Sequence, residues 1–180
     1  NALLPFMPVQ PTEQEMFARF ARIGIGPGRA FDAARLAPEM RAAMEEGIAE
    51  AAGGRIYNSA LCFGPDGQTL AQYRKIQLYG PREKATYFPG DAFVTFDLAG
   101  RKMALLICYD IEFAPHVAAL AAMGVEAILV PTANMMPFTH VAETTVPSQA
   151  ANSAVGIVYA NYCGAEGNLT YAGGSVIAGP

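Results

Sequence analysis

Cys108 is the residue of this 180-residue sequence whose surroundings most favour chemistry. It follows the apolar run Met103–Ile107, which predicts a buried strand, and it precedes a helical run that ends at Gly124. A second apolar run, Ala127–Pro131, predicts the next strand, so the thiol lies at the turn of a strand–helix–strand unit. Backbone N–H groups and the positive end of a helix meet at such a turn and lower the pKa of a thiol. We therefore predict that Cys108 is a nucleophile.

The polar loop 132–140 follows the second of these strands. Open α/β sheets bind ligands at the carboxyl edge of their strands, so this loop is expected to lie beside Cys108. It supplies three candidate substrate-binding residues, Asn134, Met135 and Phe138. The pattern leaves open whether the apolar residues of the loop line a substrate pocket or anchor the loop.

The rest of the second half of the chain predicts a layered α/β fold. Asp66-Gly67 is a turn signal between two alternating segments and predicts a β-hairpin. A loop rich in glycine, proline and charge covers 79–91, and a helix is expected to end near Ser153. The strands predicted in addition to the pair around Cys108 are 56–63, 69–77, 93–98, 155–161 and 174–178. Strand 93–98 is expected to form a second hairpin, through Ala99-Gly100, with the strand that precedes Cys108.

Residues 1–52 differ in character from the rest and predict a short helical segment. Thr12 and Glu15 have the spacing of a capping box, and Met40, Met44 and Ile48 recur at helical intervals before Gly53-Gly54. The six glutamates of this segment are predicted to face solvent. The phrases 17–28 and 36–39 resemble an uncharacterised bacterial domain of unknown function, which implies no chemistry.

Composition narrows the class of partner. Hydrophobic residues make up 52% of the chain, and the net charge of −4 with 12 lysines and arginines argues against a nucleic-acid or anionic-membrane surface. No apolar run reaches the roughly 20 residues that span a bilayer. The three cysteines have neither disulfide-framework nor metal-ligand spacing. We therefore expect no metal site, and we expect a reducing, cytoplasmic location. Cys62 and Cys163 are predicted to be packing residues.

Several phrases occur in an order that resembles the carbon–nitrogen hydrolase (nitrilase/amidase) superfamily over about residues 53–180. Members of this superfamily form an α-β-β-α sandwich that pairs into dimers. The resemblance therefore implies a partial α-β-β-α sandwich of the nitrilase type, preceded by the helical segment, and a homo-oligomer if the fold is complete. The phrases are Tyr73–Leu78, Glu83 with Phe88–Gly90, Leu106–Phe113, Ile128–Asn134 and Tyr159–Gly164.

The same resemblance implies a Glu-Lys-Cys triad without a cofactor. Carried over residue by residue, Cys108 is the nucleophile, Lys75 the triad lysine and Glu83 a second glutamate of the site. The Tyr109 backbone N–H is a candidate oxyanion donor. The expected reaction is hydrolysis of a small amide rather than a nitrile or an N-carbamoyl compound, through a cysteine acyl-enzyme.

The sequence departs from the family pattern at the general base, and this departure bears on whether the chain is catalytic. Relatives carry the general-base glutamate in a Phe-Pro-Glu phrase upstream of the lysine, and this sequence has no such phrase. Asp97, Glu112 and Glu143 are conceivable substitutes. The alternative expectation is a truncated or chimeric, non-catalytic remnant, and a natural fusion, a fragment and a chimera all fit the sequence.

Overall fold

The computed structural model describes residues 45–64 and 67–180, which form ten strands, three short α-helices and the turns and loops that join them. The strands are β1 (Glu45–Ala52), β2 (Arg55–Phe63), β3 (Thr69–Arg74), β4 (Thr95–Leu98), β5 (Arg101–Leu105), β6 (Ala127–Thr132), β7 (Gly156–Asn161), β8 (Cys163–Glu166), β9 (Leu169–Ala172) and β10 (Val176–Ala178). The helices are α1 (Gly80–Thr86), α2 (Ala114–Ala122) and α3 (Val146–Ser153), with a 3-10 turn at Cys108–Glu112 and a π-helical turn at Val141–Thr145. Within the described ranges, no helix is long and apolar enough to cross a membrane.

The first sheet is antiparallel, in the order β1-β2-β3. Gly53 and Gly54 make the β1–β2 turn with φ of +58° and +74°, a conformation that glycine adopts without strain. The predicted hairpin between β2 and β3 is confirmed. The predicted helix, however, is wrong over 45–52, because β1 pairs along β2 and this tertiary pairing overrides the helix preference of its alanines and glutamates. The earlier part of that prediction lies outside the described residues.

The second sheet has five strands in the order β10-β7-β6-β5-β4. Its centre is parallel, with β5 joined to β6 through α2, which confirms the predicted strand–helix–strand unit. The predicted hairpin of β4 and β5 and the predicted strand β10, antiparallel to β7, are also confirmed. All six residues of β6 are buried, as expected of a strand covered on both faces.

The layers share one hydrophobic core. Ala60, Cys62 and Tyr73 of the first sheet belong to the same buried cluster as Met103 and Ile128 of the second. Helices α2 and α3 pack against each other, and α3 also packs against β7 and β10. The chain is therefore a mixed α/β structure with the helical, large-sheet and small-sheet layers expected of a partial nitrilase-type sandwich.

Two local predictions need correction, and one hairpin was missed. The loop predicted over 79–91 contains α1, which begins with Pro81 in its first turn and places Glu83 near its N-terminus and Lys84 in its last turn. The hairpin of β8 and β9 was not predicted. Cys62 is buried in the core as expected, whereas the Cys163 side chain on β8 is exposed.

Candidate active site

Cys108 occupies a strained backbone position at the carboxyl edge of the large sheet. It is the first residue of the 3-10 turn that follows β5 and leads into α2, and its side chain is half-buried. Its φ is +46°, in the left-handed region that non-glycine residues adopt at an energetic cost. Such a conformation persists only where the surrounding structure stabilises it.

Asp110 supplies that stabilisation. Its fully buried carboxylate accepts hydrogen bonds from the backbone N–H of Ile107 at 3.0 Å, from the backbone N–H of Gln77 at 2.7 Å and from the Tyr73 hydroxyl at 2.9 Å. Burial raises the pKa of Asp110, while these bonds oppose the rise. All three partners are donors, which suits the ionised, acceptor-only form. Asp110 was not among the residues predicted from the sequence, although an aspartate between apolar neighbours in 107–111 is a usable signal.

Lys75 follows β3 and is 2% exposed. Its ammonium donates to both carboxylate oxygens of Glu83, at 2.9 and 2.8 Å. Its backbone is also held on both sides, since its N–H donates to the carbonyl of Asn58 and its carbonyl accepts from the N–H of Gly90, each at 2.8 Å. A buried lysine with this many partners has a fixed position rather than the mobility of a surface lysine.

Glu83, from α1, holds the lysine in place. Besides the two bonds from Lys75, its carboxylate accepts from the Asn58 side-chain amide at 3.1 Å and from the Tyr79 backbone N–H at 2.6 Å. These four bonds use both oxygens, so Glu83 is built to orient the ammonium. The structure thus brings Lys75 and Glu83 together, as the family resemblance implied.

Gly90 allows the loop after α1 to approach the end of β3. A Cβ atom at this position would lie 2.2 Å from the carbonyl oxygen of Arg74, much closer than any real contact. The loop is also fixed by the Phe88 N–H, which donates to the carbonyl of Ile56 at 2.8 Å. The backbone at Arg74 and Lys75 therefore depends on glycine at position 90.

The electrostatic setting of Cys108 differs from the sequence-based prediction. Burial raises the pKa of the Cys108 thiol and outweighs the lowering by the Lys75 ammonium and by the Ala133 backbone N–H. The prediction of a lowered pKa was wrong because it considered the turn and not the desolvation of the sulfur. The protonated thiol is favoured, so attack by Cys108 requires a base that takes its proton.

An aromatic wall, defined by Tyr79, Tyr109 and Phe138, includes the residue that directly follows the nucleophile. The ring of Tyr79 meets that of Tyr109 edge to face at 5.2 Å and that of Phe138 at 6.3 Å. Tyr109 directly follows Cys108, so its backbone N–H is next in the chain to the sulfur-bearing residue. The role of Phe138 in lining a substrate pocket and the Tyr109 oxyanion contact stay predictions.

Asn134 and Met135 help to anchor the loop after β6. The Asn134 side-chain amide donates to the Phe138 carbonyl at 2.8 Å, and its backbone N–H donates to the Asn161 side chain at 2.7 Å. Met135 forms an isolated bridge with Tyr171. Their contacts favour the anchoring interpretation, and substrate contact by these two residues also stays a prediction.

Three carboxylates were considered as substitutes for the general base, and they differ in their relation to Cys108. Asp97 is exposed on β4 opposite Lys102, and Glu143 is exposed on the π-helical turn. Glu112, which is also exposed, ends the 3-10 turn that Cys108 begins, and its charge raises the pKa of the thiol. Partial desolvation of the carboxylate raises the pKa of Glu112 itself, against the charge of His140 and of Lys75. Of the three, Glu112 is the one tied electrostatically to the thiol.

The described residues offer no metal centre. No group of three or more histidine, cysteine, aspartate or glutamate side chains within 45–64 and 67–180 could hold a metal ion. A cleft of about 560 Å³ lies between the α1 segment and the rings of Tyr109 and Phe113, and Cys108 does not line it.

Comparison with known proteins places this arrangement in a family. The model of the carbon-nitrogen hydrolase family matches residues 32–180. This confirms the resemblance given by the sequence phrases, and the match begins upstream of residue 53 and so includes residues 32–52, which the sequence analysis placed in a separate segment.

Two bacterial relatives illustrate the extent of the similarity. A Pseudomonas protegens protein named "Hydrolase in pqqF 5'region" is 44% identical over 128 residues, covering 71% of this chain and 45% of that protein. An "(R)-stereoselective amidase" from Pseudomonas sp. is 40% identical over 135 residues, covering 74% of this chain and 48% of the amidase. The chain thus spans about half the length of these relatives.

The structure is also similar to solved structures of an amidase from Nesterenkonia sp. AN1. One, a cysteine-to-alanine variant in complex with butyramide, has a TM-score of 0.71 at 36% identity and covers 82% of this chain and 58% of that one. Another carries the acetamide moiety of fluoroacetamide on its active-site cysteine, with a TM-score of 0.71 at 37% identity over 82% of this chain and 57% of that one. With the family model matched from residue 32 to residue 180, the chain belongs to the carbon-nitrogen hydrolase family.

Proposed function

We propose that this chain hydrolyses small amides through an acyl-enzyme on Cys108. The observation that carries the proposal is the pairing of a cysteine in a left-handed turn with a buried lysine whose ammonium is bonded to both oxygens of a glutamate. The lysine charge acts on the thiol, which ties the two groups to one site. A thiol, an ammonium and a carboxylate base are the groups that covalent amide hydrolysis requires.

In the first step the Cys108 sulfur attacks the amide carbonyl carbon. Because burial favours the protonated thiol, a carboxylate base takes the proton as the carbon–sulfur bond forms. Two of the three Lys75 donors are used by Glu83, which leaves the ammonium able to face the developing oxyanion, together with the Tyr109 N–H. The proton passes to the nitrogen, the carbon–nitrogen bond breaks, and ammonia leaves a thioester on the sulfur.

In the second step water attacks the thioester carbon. The same base accepts a proton from the water, the carbon–sulfur bond breaks, and the proton returns to the sulfur as the carboxylic acid is released. Among the described residues, Glu112 is our candidate for this base because its charge acts on the Cys108 thiol.

The proposed substrates are primary amides of short aliphatic acids. The support is that the solved amidase has been captured with butyramide and with an acetamide adduct on its active-site cysteine. The aromatic wall beside Cys108 offers an apolar surface for a short acyl chain.

The test measures ammonia release from acetamide, butyramide and acrylamide by the purified chain, with intact-protein mass spectrometry in the same samples. We expect ammonia in stoichiometric excess over protein and a transient mass increase equal to the acyl group. Cys108→Ala should abolish both signals, since it removes the nucleophile. Cys163→Ser is the matched control, because it removes an exposed thiol outside the site and should leave both signals unchanged.

Glu112→Gln tests the assignment of the base. A base contributes roughly 10²–10⁴-fold to rate, and a loss of that size is expected here. Rates within a few-fold of the parent would place the base elsewhere in the chain. No ammonia and no acyl adduct from the parent would contradict the proposed function and favour the non-catalytic alternative.

A further inference from the structure

The lysine and the nucleophile come from different sheets, and a single buried carboxylate connects them. Lys75 follows β3 of the three-stranded sheet, whereas Cys108 follows β5 of the five-stranded sheet. Asp110 lies two residues after Cys108 and is fully buried. Its carboxylate therefore lies where the two sheets meet at the site.

The partners of Asp110 surround both residues. On the lysine side, it accepts from the Tyr73 hydroxyl at 2.9 Å and from the Gln77 N–H at 2.7 Å, residues that lie two positions before and two positions after Lys75. On the nucleophile side, it accepts from the N–H of Ile107 at 3.0 Å, the residue directly before Cys108. One carboxylate thus fixes the backbone next to the nucleophile and the chain on both sides of the lysine.

We propose that Asp110 is a positioning residue that fixes the Lys75 ammonium relative to the Cys108 sulfur by bonding both segments at once. This inference rests on the proposed roles of Cys108 and Lys75. The carboxylate is suited to the task because both of its oxygens accept, whereas an amide presents one oxygen and one NH₂ group. In Asp110→Asn, one of the two oxygens becomes an NH₂ group that faces a backbone N–H, so the bond from Gln77 or the bond from Ile107 is lost.

The strained turn at Cys108 is a second argument for a positioning role of Asp110. Cys108 is held at φ +46°, and Asp110 bonds the backbone just before it. Loss of that bond removes a restraint on the left-handed conformation, and the sulfur then moves relative to the lysine. A change in thiol reactivity is therefore expected even if the protein remains folded.

The test is the pH dependence of Cys108 alkylation by iodoacetamide, followed on the Cys108 peptide by mass spectrometry. In the background that keeps Asp110, Lys75→Ala should raise the pH midpoint of Cys108 alkylation by about one unit, because an adjacent cation favours the thiolate. In the Asp110→Asn background, the same substitution should shift the midpoint by less than half as much. Tyr73→Phe is the matched control: it removes one bond to Asp110 but keeps both backbone links, so the full shift should remain.

A full Lys75-dependent shift in Asp110→Asn would overturn the proposal, since Asp110 would then contribute to stability alone. A parent midpoint that does not respond to Lys75→Ala would overturn it as well. If Asp110→Asn does not fold, amide hydrogen exchange in the parent decides the question. The Ile107 and Gln77 amides should be strongly protected, and exchange at the rate of open loops would refute the link.

These outcomes are separate from those of the proposed function. A parent that shows the Lys75-dependent shift but releases no ammonia contradicts amide hydrolysis and leaves Asp110 as the residue that sets the lysine–thiol geometry. Ammonia release with no effect of Asp110→Asn on the Lys75-dependent shift supports hydrolysis and contradicts the role of Asp110.

Discussion

Arg74 and Lys75 are consecutive cations at the end of β3, and each pairs with a glutamate in a different environment. Arg74 donates through its Nε atom to Glu50 of β1 at 3.0 Å and through a second nitrogen to the other oxygen, and its side chain is 37% exposed. Lys75 is 2% exposed and donates to both oxygens of Glu83. Alternate side chains of a strand point to opposite faces, so one residue step separates a cation of the sheet surface from a cation of the site.

The two ion pairs differ in the other groups that each carboxylate contacts. Glu50 accepts from the Ser59 hydroxyl at 2.7 Å, and the Arg74 guanidinium lies 4.0 Å from the centre of the Tyr57 ring, so this pair joins the three strands of the small sheet. Glu83 instead holds the ammonium that acts on the Cys108 thiol. One ion pair joins the strands of the small sheet, whereas the other fixes the Lys75 ammonium at the candidate active site. Substitutions should therefore separate the two effects.

Replacement of the two cations by alanine should give the largest contrast. Lys75→Ala removes the charge that we propose faces the oxyanion, and the loss of such a donor lowers kcat by about 10²–10³-fold. Arg74→Ala removes a partly exposed pair, so its effect on the rate should stay below about fivefold while its unfolding midpoint falls. Ammonia release and thermal unfolding should be measured for both variants. Equal loss of activity in the two variants would contradict the expected difference between the two cations.

Glu83→Gln should have the next largest effect. The amide oxygen still accepts from the ammonium, but the second carboxylate oxygen and the charge are lost, and a hydrogen bond to a charged group contributes about 1.5–3 kcal/mol. We expect a roughly 10–100-fold lower kcat at saturating butyramide, with KM less affected because the lysine is mispositioned and not removed. The steady-state kinetics of Glu83→Gln, measured beside Lys75→Ala, test this order. A rate below that of Lys75→Ala would indicate a direct role of Glu83 in the reaction.

Glu50→Gln should lower stability in a manner that depends on pH. The hydrogen bonds from Arg74 are the largest cause that lowers the pKa of Glu50 from an ordinary 4.5 to about 2. A depressed folded-state pKa contributes stability above pH 4.5, and that stability is lost as the pH falls towards 2. The unfolding midpoint of Glu50→Gln should lie below that of the parent at pH 7, and the difference should shrink as pH falls from 4.5 to 2. A difference independent of pH would mean that packing and not charge sets the contribution.

Arg74→Lys should have the smallest effect. The variant keeps the charge but loses the two-pronged contact with Glu50 and the stacking on Tyr57, and both contacts lie at a partly exposed site where such interactions contribute little. We expect a small drop in the denaturant midpoint with no change in ammonia release. A loss of activity here would show that the surface pair also shapes the site through the adjacent Lys75.

The sequence predicted the elements that have strong local signals. Asp66-Gly67 and Ala99-Gly100 marked two hairpins, and the apolar runs around Cys108 marked the parallel pair and its crossover helix. These predictions succeeded because buried strands and tight turns leave patterns in contiguous residues. The pairing of Lys75 with Glu83 came from the family resemblance, since nothing local distinguishes either residue from a surface charge.

The failures share a cause in contacts between distant residues. Over 45–52 the alanines and glutamates favour a helix locally, and only pairing with β2 makes that segment a strand. Glu50, predicted to face solvent, is largely enclosed because Arg74 and Ser59 meet it across two neighbouring strands. The thiol pKa was misjudged because desolvation depends on the whole surrounding core.

Gly90 is a structural position that a functional screen would mistake for a catalytic residue. Its close approach to the Arg74 carbonyl leaves no room for a side chain, and the backbone that would have to move carries Lys75. In a saturation-mutagenesis experiment scored by growth on an amide as nitrogen source, position 90 should reject all substitutions as strictly as Cys108 does. The position would look catalytic, yet glycine contributes no reacting group, and its intolerance would measure how little the lysine can be displaced.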